Sequence, residues 1–96
     1  MNESADLRET LALMRAGQWN AAHDRVQHHQ GQLAAWLHGI LHLQEGDLED
    51  AENWYERAGL RWRQRGTLAE ELARWEAALN ADPAHPPQPP GASSPG

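Results

Sequence analysis

Residues Ala35 to Gly59 read AWLHGILHLQEGDLEDAENWYERAG, and this stretch decides the fold. From about Gln32 to Glu45, the residues Leu33, Trp36, Leu37, Ile40, Leu41 and Leu43 recur at helical spacing and wrap most of the circumference. A helix apolar over that much of its surface is central, with neighbours on more than one side. Gly46 supplies a stop. Asp47 is a good N-cap for a second helix, and Glu49 and Asp50 suit the positive end of its dipole. That helix carries Leu48, Ala51, Trp54, Tyr55 and Ala58, and Gly59 ends it.

The same logic extends outward in both directions. Upstream, Leu7, Leu11 and Met14 define one helical face that stops at Gly17. Trp19, Ala22 and Val26 follow as a short helix ended by His28 to Gly31. Downstream, a basic linker runs from Arg61 to Gly66. Thr67 and Glu70 then form a Thr-x-x-Glu capping box ahead of a fifth helix striped by Leu68, Leu72, Trp75 and Leu79. No segment alternates as a strand does, so the expected fold class is all-α with about five helices. The folded domain is expected over 3–81. Residues 82–96 hold all six Pro and no bulky apolar side chain, which predicts a disordered Pro-rich tail. Its Pro-x-x-Pro spacings between Pro83 and Pro90 fit either a groove-binding ligand or a solubilising extension.

The chain has 96 residues, enough for one core and too few for two. Phe is absent, so the core must come from Leu and five Trp. Fourteen acidic against eight basic residues give a net charge of −6, which argues against non-specific attraction to nucleic acid or anionic membrane. With no Cys there is no disulfide, thiolate metal site or cysteine nucleophile. No apolar run approaches the roughly 20 residues of a membrane span, and no signal sequence opens the chain, so a cytoplasmic protein is expected. Every basic residue is Arg, a bias that points with the abundant Ala to a GC-rich bacterial genome.

An internal repeat is visible. The run from Leu13 to Ala22 (LMRAGQWNAA) aligns with that from His42 to Ala51 (HLQEGDLEDA) at an offset of 29 residues. Gly17 falls on Gly46, Trp19 on Leu48, Ala22 on Ala51 and Val26 on Tyr55. Each unit is a helix, a Gly-containing turn and a second helix. These features resemble the tetratricopeptide family and its Sel1-like relatives. Gly39 matches the small residue of the first helix, Gly46-Asp47 the turn, Ala51 the close-contact Ala, Tyr55 the aromatic and Ala58 the next small residue. The Trp-Tyr-x-x-Ala ending is Sel1-like, while the offset is shorter than the usual repeat of about 34 residues. The whole chain is also similar to a group of small bacterial proteins carrying a WLH…LH…EGD…WY.RAG pattern. The resemblance implies stacked antiparallel hairpins with helix five as a cap, and a protein-interaction (scaffold or adaptor) role. It also places Trp36, Ile40 and Leu43 on a concave partner surface.

Chemistry is sparse. No phosphate loop and no nucleophile context occur, so no catalytic centre is evident. His38, His42 and Glu45 fall at i, i+4, i+7 along one side of the third helix, and His23 on the second helix could face the same stripe. Such a set can bind a divalent metal, although the residues between the two His of the pair lack the Glu of a zinc protease. The alternative is that these His fill polar gaps, bonded to Glu45 or Asp24. Arg57, Arg61, Arg63 and Arg65 surround Trp62. With Trp36 they form a candidate surface for a protein or peptide, for which Trp and Arg are favoured anchors. Salt-sensitive nucleic-acid binding is the weaker reading, because the acidic Glu45 to Glu56 stretch can pair with these Arg internally. A second copy of the chain covering the open face of so short a repeat array is a further expectation.

Overall fold

The computed structural model describes residues 3–81. Over this range the chain forms five helices: α1 (Glu3–Arg15), α2 (Trp19–Val26), α3 (Gln32–Glu45), α4 (Leu48–Arg57) and α5 (Leu68–Ala81). Among the described residues there is no strand, and the fold is all-α. None of these helices is long and apolar enough to cross a membrane. The Pro-rich stretch from residue 82 lies outside the described residues.

The 29-residue repeat reappears in the hydrogen bonding of the turns. The amide of Gly17 donates to the carbonyl of Met14 at 3.0 Å, and that of Gln18 to Leu13 at 2.9 Å. One repeat later, Gly46 donates to Leu43 at 3.1 Å and Asp47 to His42 at 2.9 Å. Both glycines take left-handed backbone, at φ 78° and 82°, where a Cβ would be strained. This closure folds α2 back on α1 and α4 back on α3. The chain caps α4 with Asp47, whose carboxylate accepts from the Asp50 amide at 3.5 Å. Thr67 and Glu70 complete the capping box in both directions, at 2.8 and 3.2 Å.

Helix α3 contacts each of the other four helices. Its Leu37, Ile40 and Leu41 are fully buried with Leu7, Met14, Val26, Trp75 and Leu79. Ala22 and Ala51, equivalent in the repeat, are both fully buried. The α3–α4 pair comes closest at Gly39, where an added Cβ would stand 2.7 Å from Tyr55 Cδ1 and 3.2 Å from Trp54 Cβ. Trp75 fixes α5 to α3 by donating its indole N–H to the Leu33 carbonyl at 2.8 Å.

The structure adds a detail to the linker and corrects the reading of Trp19. The Arg61–Gly66 linker contains a 3₁₀ turn at Trp62–Gln64, stabilised by the half-buried Trp62, whose ring meets Tyr55 edge-on at 5.3 Å. Trp19 sits on α2 but does not pack inside: it is 39% exposed, as is its repeat equivalent Leu48 at 51%. Both are the first residue of their helix, where the side chain overhangs the turn.

Candidate functional site: a histidine-lined cleft

Between α2, α3 and α4 lies an open cleft of about 800 Å³. Helix α2 contributes His23; its C-cap residue Gln27 follows, and the α2–α3 connection adds His29 and Gln30. His38 and His42 come from α3, and Asp50, Trp54 and Arg57 from α4. The i, i+4 spacing puts His38 and His42 one turn apart on the α3 face that looks at α2 and α4. Folding α2 against α3 then delivers His23 to the same place.

The rings are in mutual contact. His38 and His42 stack with centroids 5.1 Å apart and planes 13° apart. His23 meets His38 edge-on at 4.7 Å and His42 at 5.7 Å. On another side, His38 stacks on Trp54 at 3.8 Å, and the Arg57 guanidinium lies over the Trp54 ring at 4.5 Å. His23 Nε2 and His38 Nε2 are 3.1 Å apart. One ligand nitrogen from each of His23, His38 and His42 falls within 4.8 Å of the others, so these three can share a metal ion. Glu45 is outside that group. Its carboxylate stands 3.7 Å from His42 Nδ1, as does that of Asp47. Asp24 is exposed and makes no hydrogen bond to these rings.

Burial holds His38 neutral, pushing its pKa from 6.5 to about 3, and His23, His42 and Arg57 nearby add to the effect. His29 is different. It hydrogen-bonds Asp6 of α1 at 2.6 Å, and Arg25 approaches the same carboxylate at 2.5 Å. The His29 bond, with Arg25, holds Asp6 below the usual carboxylate range. His29 therefore ties the cleft rim to α1, whereas among the described residues the three inner His have no carboxylate within hydrogen-bonding distance.

The sequence-derived partner residues are distributed over more than one recess. Arg57 belongs to this cleft, while Trp36, Arg61 and Arg65 line a separate recess of about 210 Å³. Trp62 is packed beneath Arg65, whose guanidinium lies 3.7 Å above its ring, and Arg63 is exposed. Among the described residues none of these four Arg forms an ion pair with the Glu45 to Glu56 stretch. Of the expected concave surface, Ile40 is fully buried and Trp36 is half-buried.

The smaller recess holds a group that the sequence does not announce. Glu71, 2% exposed, accepts from the Tyr55 hydroxyl and from Trp36 Nε1 at 3.3 Å. It also accepts from the Gly66 amide at 2.9 Å and from Arg74 at 3.1 Å. Burial, and then the adjacent carboxylate, push the Tyr55 hydroxyl well above its usual range. Four donors around one carboxylate make a fastening between α3, α4, the linker and α5.

No family model, curated protein or solved structure matches this chain.

Proposed function

We propose that this chain is a small helical-repeat interaction module, of the tetratricopeptide or Sel1-like kind, working in the bacterial cytoplasm. Its partner is an acidic peptide or protein segment taken up in the cleft between α2, α3 and α4. The observation that carries this reading is Arg57, a guanidinium laid on the Trp54 face inside the cleft, with no ion-pair partner among the described residues. An aromatic–Arg pair of this kind is a favoured interface anchor. Gln27 and Gln30 beside it are exposed amides able to bond an extended backbone. Placement of Arg61 and Arg65 in a second recess, with Arg63 exposed outside it, speaks against a continuous nucleic-acid track.

Selection of a displayed peptide library on the full chain tests this. Enriched peptides are expected to be acidic and to lose binding to a Trp54→Ala/Arg57→Gln variant. Peptides that bind the variant equally well would exclude the cleft as the docking site.

Self-association is the second reading, favoured by the paired exposure of Trp19 and Leu48 at equivalent repeat positions. Light scattering at high concentration would then give a dimer that Trp19→Glu/Leu48→Glu disperses. A monomer at all concentrations would dismiss it.

A further inference from the structure

The three inner histidines of the cleft have more bonding capacity than the fold uses. Each neutral imidazole carries one N–H and one lone pair. Among the three rings a single contact, His23 Nε2 to His38 Nε2, satisfies any of it. His42 Nδ1 is buried and has no hydrogen-bond partner among the described residues. Buried polar atoms are almost always answered, and this unanswered Nδ1 marks a ring that the fold's own hydrogen bonds do not fix.

We propose that His23, His38 and His42 hold a divalent transition-metal ion of the zinc, cobalt or nickel class, with a coordination position left facing the cleft. The site shares its cleft with the peptide reading above but rests on other residues, and its test needs no peptide. Two zinc–nitrogen bonds at the tetrahedral angle separate their nitrogens by about 3.3 Å. The 3.1 Å between His23 Nε2 and His38 Nε2 is close to that spacing, and the third ring brings a nitrogen within 4.8 Å of both. All three donors are imidazole nitrogens, which suit borderline transition metals and not calcium or magnesium.

Outside the ring cluster, the carboxylates of Glu45 and Asp47 stand 3.7 Å from His42 Nδ1. An ion on Nε2 of His42 would polarise the Nδ1–H towards them, the arrangement that fixes a ligand's tautomer and raises its basicity. Glu45 and Asp47 are thus positioning residues. Three protein ligands leave a tetrahedral ion one position short, and that position opens on a cleft of about 800 Å³. The ion therefore takes an exchangeable ligand, water or a small Lewis base.

Untagged full-length protein stripped with chelator, then titrated with Co²⁺, tests the proposal. Visible absorption reports coordination number, and calorimetry reports stoichiometry. One equivalent per chain is expected, with the intense bands of a four- or five-coordinate ion. His23→Gln is expected to weaken binding by more than the roughly 10–100-fold that loss of an outer-shell partner costs, and Asp47→Asn by about tenfold. His28→Gln, an exposed residue beyond α2, should leave affinity unchanged. Because His38 is buried, its role is read in the unsubstituted protein: Zn²⁺ must shift the imidazole NMR signals of these three His and no others. Absence of stoichiometric binding, or unchanged affinity in a folded His23→Gln variant, overturns the proposal. So would Zn²⁺-induced shifts confined to other His.

Discussion

Glu71 and the histidine cluster are both polar groups set inside the same small bundle, and they differ in how fully they are answered. The Glu71 carboxylate receives donors from Tyr55, Trp36, Gly66 and Arg74, drawn from four parts of the chain. The three imidazoles share one hydrogen bond among themselves, and among the described residues His42 Nδ1 has none. A buried charge with every lone pair occupied has nothing left to offer a ligand and serves as architecture. A cluster with spare lone pairs beside an open cleft is equipped to bind. The contrast separates a fastening from a site even though both show carboxylates or imidazoles in the interior.

The largest effect should come from breaking the answered region. Glu71→Ala strands the Tyr55 hydroxyl, the Trp36 indole N–H and the Gly66 amide together. A cost of about 3–5 kcal/mol is expected, as for other buried pairs that lose one partner. A core of this size is worth only about that much, so the variant should be largely unfolded in urea titrations begun at room temperature. A loss below about 1 kcal/mol would show that Glu71 is not a fastening. Next in size is Gly39→Ala. Its Cβ would stand 2.7 Å from Tyr55 Cδ1, and Tyr55 cannot yield without leaving Glu71. Overpacking of this kind costs about 1–3 kcal/mol, against which the helix gains about 1 kcal/mol from Ala. A net loss is expected, and it should shrink when measured in a Tyr55→Leu background. An equal loss in both backgrounds would place the clash elsewhere.

The two regions were not equally legible in the sequence. Helices, turns and caps were, because each is encoded by neighbours: Gly17 and Gly46, Asp47, and Thr67 with Glu70 lie within a few residues of what they control. His38 and His42 were visible as an i, i+4 pair, and His23 followed from folding α2 back. Glu45 entered the expected ligand set because i, i+7 keeps one helix face, but a side chain two turns away reaches the far nitrogen of His42 and not the ring cluster. Asp47 was readable as a cap and not as a neighbour of His42. Glu71 carried no signal at all. It looks like an ordinary acid in a first helical turn, and its partners Trp36 and Tyr55 stand 35 and 16 residues away. Even Trp36, read as a partner-facing ring, is held by that carboxylate. Long-range burial was what local periodicity could not supply.

The finest test of the contrast uses protons, in chelator so that no metal competes. His38 has its folded pKa lowered from 6.5 to about 3, with burial as the first cause. Between those values the unfolded chain binds a proton that the folded chain refuses. The contribution is therefore fully present above pH 6.5 and lost as pH falls towards 3, at a slope of no more than about 1.4 kcal/mol per pH unit. Asp6 acts in the same direction in a lower window. Its folded pKa lies below its ordinary 3.8, so its stabilisation is present above 3.8 and disappears as pH drops through the folded value. Melting temperatures should begin to fall just below pH 6.5 and fall again in the lower window. His38→Gln should remove the first part and Asp6→Asn the second. If Tm stays flat over the two units below pH 6.5 in the unsubstituted protein, His38 takes up its proton without cost. The imidazoles would then be solvated and open, and the contrast with Glu71 would rest on hydrogen bonding alone.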